Sequence, residues 1–345
     1  MRIGIIGTGA ISHKHALAYR NLGFPIVACT NTTASRGRDF ARTYGAEFVS
    51  TVEELCAHPL VDYVDLCTLP NFRLPIVELC ARSRKHVLVQ KPMAINVDTA
   101  SRMIQIADDA GIQLGVVSQH RFDDSVIFLK QAITDGRLGR ILQADSYVKW
   151  WRSEEYYSRP IKGTWAGEGG GALMNQGIHH IDLLLYLAGS VSQVAAMWQL
   201  GSVHRIESED SISALLRFAS GATGVIEAST ALWPGSPERL EIHGTRGTAI
   251  ITGDHLTRWD VIDDFGDPPP LHRPNESGAS GASDPMAISI VSFERQFLDF
   301  AEACATGLRP LSSGYDGRAA VQLVREIYKE AAKEQMPGLG TQSLL

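Results

Sequence analysis

The sequence predicts an α/β protein: a doubly wound parallel sheet comes first, followed by an α+β domain with a large, mainly antiparallel open sheet. Three observations lead there. Over the first 119 residues, short apolar runs alternate with helix-periodic segments, as in a parallel sheet covered by helices on both faces. A glycine-rich turn, Gly7-Thr8-Gly9-Ala10, directly follows the first apolar run. Beyond Gln119 strand-like segments succeed one another with little helix between them, which suits antiparallel pairing.

Residues 2–7 read as a buried strand, 10–22 as a helix and 25–30 as a second strand. The helix at 35–44 stops at Gly45, a residue free to take the left-handed conformation that ends helices. A short strand at 47–49 and a short helix at 52–57 follow. Runs at 61–68 and 86–89 are strands with a helix at 75–82 between them; 99–110 is a helix and 113–117 a strand. In the second half, 125–135 is helical, 139–149 a long strand and 171–188 a strong helix. Strands run from 191 to about 259, among them 212–218, 224–230 and 240–243. Residues 263–284 are rich in Gly, Pro and Ser and read as a surface loop. Helices at 290–306 and 315–334 close the chain.

A chain of 345 residues exceeds one ordinary core and fits two domains, expected at 1–120 and 121–345, with the last helix packing back on the first. A net charge of -6, from 38 acidic and 32 basic residues, gives no general attraction for nucleic acid or an anionic membrane. No apolar run approaches membrane-spanning length, so neither partner is expected. Cys29, Cys56, Cys67, Cys80 and Cys304 show no paired metal-ligand spacing. Their odd number, and a first strand that follows Met1-Arg2 without a targeting segment, point to a reducing cytoplasm. Under that reading the glycosylation triplets at Asn31 and Asn275 are chance matches.

In the first turn, Gly7 permits a tight bend and Gly9 lets backbone approach a pyrophosphate. N–H groups at the start of the next helix then receive the negative charge. Ser12 stands in the place of a third glycine as a small residue. Strand, Gly-rich turn and helix make a Rossmann dinucleotide site, so Gly7, Thr8, Gly9, Ala10 and Ile11 are cofactor candidates; a plain connecting turn is the alternative. An acid at the end of the second strand would select NAD, and residues 29–36 hold none. Asn31, Thr32 and Arg36 accommodate a 2′-phosphate instead, which leans toward NADP or use of both cofactors, although Arg36 also fits a solvated helix position. Other strand ends add Leu69-Pro70-Asn71, Gln90, Lys91 and Gln119.

Lys91 lies in the turn Gln90-Lys91-Pro92 at the end of a strand, where a plain surface lysine is the alternative. In the second half, Gly169-Gly170-Gly171 precede the strong helix and would let backbone approach a ligand closely. Asn175 and His179, four apart, share one helix face, while His180 points elsewhere and reads as structural.

With these motifs the chain resembles the glucose–fructose oxidoreductase/inositol dehydrogenase family of sugar-acting dehydrogenases, Gfo/Idh/MocA. The resemblance spans nearly the whole chain, from the Gly loop through the Lys-Pro turn and the Gly-rich helix to the closing helix. It implies Lys91 and His179 as the catalytic pair, with Asn175 where the family usually has an aspartate. The family's Glu-Lys-Pro turn begins here with Gln90, and Leu74 stands where many relatives have a histidine. Asn175-Gln176 and the Trp-Arg-rich segment before the helix look like the pyranose-acting branch, which includes levoglucosan dehydrogenases and sugar-acid 3-dehydrogenases. The implied activity is hydride transfer between NAD or NADP and a secondary alcohol or ketone of a pyranose or its derivative.

Residue chemistry is compatible with that activity. His179 titrates near neutrality and serves as the base, and Lys91 stabilises alkoxide character on the same oxygen. Asn175 orients the hydroxyl without exchanging a proton. With no anionic partner and a lysine nearby, His179 is expected to be neutral at pH 7. A metal on His179 with Asp182, or on His120, lacks a third ligand by spacing, so none is expected. Trp151, Arg152, Tyr156 and Trp165 offer stacking faces and hydrogen bonds to a sugar, with core packing an equal reading for Tyr156 and Trp165. Arg121 either contacts substrate or pairs with an acid, and His120 is a second candidate proton carrier. An open sheet face suggests a homodimer or homotetramer. Two alternatives stay open: a non-catalytic NAD(P)-binding sensor of the same fold, and a reductase of a non-sugar ketone.

Overall fold

The computed structural model describes residues 1–263, 266 and 289–335. The expected loop at 263–284, apart from Asp263 and Gly266, and the Asn275 triplet lie outside the described residues. The chain begins β1 (Ile3–Ile6), α1 (Ala10–Asn21), β2 (Ile26–Thr30), α2 (Ala34–Tyr44), β3 (Glu47–Phe48) and α3 (Val52–Ala57). It continues β4 (Tyr63–Leu66), α4 (Arg73–Arg82), β5 (His86–Val89), α5 (Val97–Ala110), β6 (Leu114–Val116), α6 (Asp124–Thr134) and β7 (Ile141–Lys149). Two single-turn helices, α7 (Glu154–Tyr157) and α8 (Trp165–Glu168), come before α9 (Ile178–Ala188). Then come β8 (Val191–Leu200), β9 (Glu209–Phe218), β10 (Thr223–Ser229), β11 (Arg239–Gly244), β12 (Gly247–Thr252) and β13 (His255–Val261). Helices α10 (Ile290–Thr306) and α11 (Gly314–Gln335) complete the described chain.

Packing divides the chain into two units. One holds Met1–Gln119 with Ser289–Arg318, and the other the described residues that follow Gln119 and Arg318. Chain order alone put residues 289–318 in the second domain; side-chain packing puts them in the first unit. Phe293, Phe297 and Phe300, spaced four and three apart, form the apolar stripe of α10. Phe293 and Phe297 meet His15, Phe297 stacks on Tyr19 at 4.3 Å between ring centres, and Phe300 stands edge-on to Tyr63.

The sheet of the first unit has the order β3-β2-β1-β4-β5-β6, parallel throughout. β1 and β4 are buried at every position, as central strands with covered faces must be. The order reverses between them, and their carboxyl ends flank the crevice where such sheets bind ligands. Helix ends follow the local sequence: α2 stops at Gly45 with φ of 71°, α5 starts on the Asn96 cap and stops at Gly111, and α3 has a Thr51/Glu54 capping box.

The second unit is a seven-stranded sheet, β13-β12-β11-β7-β10-β9-β8, antiparallel except for the β7–β10 pair. Along β9 the inner residues Ile212, Ala214, Leu216 and Phe218 alternate with the exposed Ser213, Leu215 and Arg217. The segment expected as one helix over 171–188 opens with a π turn at Leu173–Gly177 before α9 begins. Such widened turns occur often at functional sites. No helix among the described residues is long and apolar enough to cross a membrane.

Candidate active site

In the first unit, Gly7 has φ of +91°, and a Cβ there would lie 3.1 Å from the Cys67 carbonyl carbon. Only glycine meets both conditions. Gly9 is the N-cap of α1, with no side-chain cap and no acid in the first turn, and a Cβ on it would meet open space. The helix start is therefore an electropositive cradle with room beside it. Thr8 is buried, Ile11 half-buried, and Gly9 and Ala10 exposed at its lip. Asn31 donates to Thr8 Oγ1 at 2.6 Å and accepts the Thr33 N–H, tying the end of β2 to the loop. Thr32 and Arg36 are exposed beside the start of α2, which likewise has no side-chain cap or acid in its first turn.

Further strand ends line the same edge. Pro70–Phe72 form a single 3-10 turn after β4, with Leu69 half-buried and Asn71 exposed. Thr68 Oγ1 and Gln119 Oε1 are buried without a hydrogen-bond partner, at the ends of β4 and β6. A dinucleotide with its nicotinamide amide would fit these orphaned groups and the Gly9 cradle.

The Lys91–Pro92 peptide is cis. Two buried groups hold this turn. Arg73, 2% exposed, donates to the carbonyls of Gln90, Pro92 and Thr68. Burial lowers its guanidinium to about 9, partly countered by Cys67 and Asp65, so it remains charged at neutral pH. The Gln90 side chain accepts the Lys91 N–H at 3.0 Å and contacts His15 Nε2 at 2.9 Å, so it turns inward. Sequence reading singled out neither Arg73 nor His15. Leu74, noted as out of pattern, was the nearest signal to Arg73.

In the second unit, Asn175 and His179 are half-exposed while every other residue from Gly171 to Leu184 is buried. Lys91 is the single such exception within 87–94, and His120 within 114–123. Burying polar groups costs free energy unless they are paired, so selective exposure in buried runs marks groups kept accessible. His120 stands edge-on to His179, 5.1 Å between ring centres, and its Nδ1 meets Asp123 Oδ2 at 2.7 Å. His180 is buried against Ser146 Oγ at 2.6 Å, and burial, with help from His120, lowers its pKa to about 3, which fits the expected structural role.

Of the two roles open to Arg121, the structure shows pairing. Nε and Nη2 meet the two Asp182 oxygens at 2.8 and 2.7 Å, with both residues buried. This fork occupies the carboxylate considered for a metal. Tyr156 OH accepts from Lys162 Nζ and from Gln176 Nε2, each at 3.1 Å, linking it to the neighbour of Asn175. Burial lowers the Lys162 pKa, but Tyr156 and Glu168 more than reverse this. Arg152 is buried over the Trp150 and Tyr156 rings, and Trp151 packs on His204 and Trp233. Trp165 stands edge-on to Tyr328 and against Trp198.

Two of the three glycines expected to admit a ligand approach protein: a Cβ on Gly170 would lie 2.3 Å from the Tyr328 hydroxyl oxygen, and one on Gly171 1.8 Å from the Glu209 carbonyl oxygen. Glu209, fully buried, accepts N–H groups from Gly171 and Leu173 at 2.8 Å each and the Tyr328 hydroxyl at 2.6 Å. Tyr328 OH in turn accepts the Met174 N–H at 3.2 Å. These contacts seat the π turn that carries Asn175. Nothing in local sequence pairs Glu209 with a helix 38 residues earlier.

Residues 1–118 match the oxidoreductase family with an NAD-binding Rossmann fold, and residues 126–250 match the GFO/IDH/MocA C-terminal domain. The chain is 26% identical to inositol 2-dehydrogenase of Rhizobium meliloti, covering 97% of this chain and 98% of that protein. It is 28% identical to the WlbA dehydrogenase of Bordetella pertussis, solved with NADH and UDP-GlcNAcA, at a TM-score of 0.83 over 96% of this chain and 97% of that one. Levoglucosan dehydrogenase solved with NADH shares the fold at a TM-score of 0.86 and 23% identity, covering 97% of each chain. Two family domains in sequence, a 3-2-1-4-5-6 parallel sheet and an uncapped glycine cradle converge on one conclusion: the chain belongs to the Gfo/Idh/MocA family of oxidoreductases with an NAD-binding Rossmann fold.

Proposed function

We propose that the chain transfers a hydride between NAD(P) and a secondary alcohol or ketone of a pyranose sugar or sugar derivative. The observation that carries this reading is the selective exposure of Lys91, Asn175 and His179 within otherwise buried segments. When bound, the nicotinamide supplies the hydride acceptor. His179 takes the hydroxyl proton on oxidation and returns it on reduction. Lys91 places positive charge on the same oxygen, and Asn175 orients it. His120, held by Asp123 and edge-on to His179, offers the proton an onward route. Trp151, Arg152 and Tyr156 are assigned to the sugar, and no metal takes part.

Relatives named for inositol and levoglucosan, and one solved with UDP-GlcNAcA, support a cyclic polyhydroxyl substrate of the pyranose-acting branch. The acid-free end of β2, with Arg36 exposed, supports NADP or use of both cofactors. Met197 and Leu215, exposed on the outer sheet face, support a homodimer or homotetramer, which light scattering on a sizing column would measure. Five free thiols support a cytoplasmic location.

The test is reduction of NAD and of NADP with pyranoses, sugar acids and nucleotide sugars, for the native chain, Lys91→Ala and His179→Ala. Each substitution is expected to lower kcat by roughly 10²- to 10⁴-fold while cofactor still binds. Cofactor binding without turnover of any sugar or ketosugar, in either direction, would replace this reading with the sensor. Turnover of simple ketones alone would replace it with the non-sugar reductase.

A further inference from the structure

The Gln90 side chain has one orientation open to it. Its Oε1 accepts the Lys91 backbone N–H at 3.0 Å, and a backbone N–H can only donate. The carboxamide nitrogen is therefore the end that faces His15 Nε2, at 2.9 Å. An amide nitrogen donates and does not accept, so His15 Nε2 carries no proton. The ring proton sits on Nδ1, which donates to Asp65 Oδ2 at 2.7 Å. Asp65 also accepts the Tyr19 hydroxyl at 2.9 Å. His15, Asp65 and Tyr19 are fully buried, and the Phe293 and Phe297 rings lie against the imidazole.

We propose that Gln90 is a positioning residue for Lys91, held by His15 in its neutral, Nδ1-protonated form with the Asp65 carboxylate behind it. The proposal rests on Lys91 meeting the substrate oxygen. A carboxylate at position 90 accepts at both oxygens, so it could hold the same turn only if His15 were protonated on both nitrogens. With an ionised acid at position 90 the link would be charged, an imidazolium between two carboxylates; the amide makes a neutral chain of the same length. The missing acid is a change in how Lys91 is held, not a loss of the group that holds it.

Nitrogen-15 NMR of the histidine-labelled full-length chain at pH 7 reads the tautomer directly, with or without turnover. The His15 ring is identified by its contacts to Phe293 and Phe297. The expected native state is protonated Nδ1 and bare Nε2, and Gln90→Glu is expected to protonate both. In kinetics, Gln90→Leu is expected to lower kcat roughly 10- to 100-fold with the cofactor KM little changed, and Gln90→Glu to restore most of it. A native Nε2–H or imidazolium overturns the proposal. So does a Gln90→Glu variant as slow as Gln90→Leu. A native chain that turns over no sugar yet shows Nδ1–H refutes the proposed activity and leaves the hydrogen-bond chain supported.

Discussion

Replacing Glu209 by Gln removes a charge buried beneath the Asn175–His179 segment while keeping the side chain's shape. Burial raises the Glu209 pKa from 4.5 to about 7, against the pull of the Tyr328 hydroxyl and the Leu173 and Gly171 N–H groups toward the ionised form. The folded pKa lies above the unfolded one, so the folded state binds this proton more tightly. The resulting stability is fully present below about 4.5 and is lost as pH rises through about 7. At about 1.4 kcal/mol per unit, the rise corresponds to about 3 kcal/mol. Glutamine does not titrate, and every other group is common to both chains. The difference in unfolding free energy between native and Glu209→Gln proteins should therefore move by about 3 kcal/mol in favour of the variant between pH 4.5 and pH 8. Urea unfolding of both proteins across that range measures it. Parallel stability–pH curves would refute the reasoning, because they would mean that Glu209 titrates alike in the folded and unfolded chains.

Asp182→Ala strands the buried Arg121 guanidinium and should cost about 3–5 kcal/mol by chemical unfolding, with Arg121→Met on the same chain recovering much of it. A loss under 1 kcal/mol would count against a buried fork. Gly7→Ala forces a side chain into a left-handed position against the Cys67 carbonyl, at about 1–2 kcal/mol, and should weaken NAD(P) binding in titration calorimetry. Unchanged affinity would separate this turn from the cofactor. Arg73→Met leaves the carbonyls of Thr68, Gln90 and Pro92 without their donor, at about 1–3 kcal/mol for each left unsatisfied. Hydrogen exchange should rise across residues 66–94; protection equal to the native chain would show that Arg73 does not hold the turn.

Local patterns alone made much of this protein legible. Apolar runs interleaved with 3.6-residue periodicity gave the parallel sheet, Gly7 and Gly9 gave the tight turn and the uncapped helix start, and the four-residue step from Asn175 to His179 put both on the accessible face of a buried segment. These features depend on neighbours within a few residues, so sequence order carries them. Other features were set by contacts between residues far apart in the chain. Phe293, Phe297 and Phe300 are an ordinary amphipathic stripe until they meet α1 and β4, which places α10 in the first unit. The glycines before the π turn read as room for a ligand, and only the fold reveals that Glu209 and Tyr328 fill it. Sequence left Arg121 open to a substrate or to an acid, and Asp182, 61 residues on, takes both ends of its fork. Sequence by itself determined which elements form and which residue types carry the chemistry. Tertiary structure decided which polar groups are consumed in holding others still, because a buried charge or amide takes whichever partner the packing brings within 3 Å, however distant in the chain.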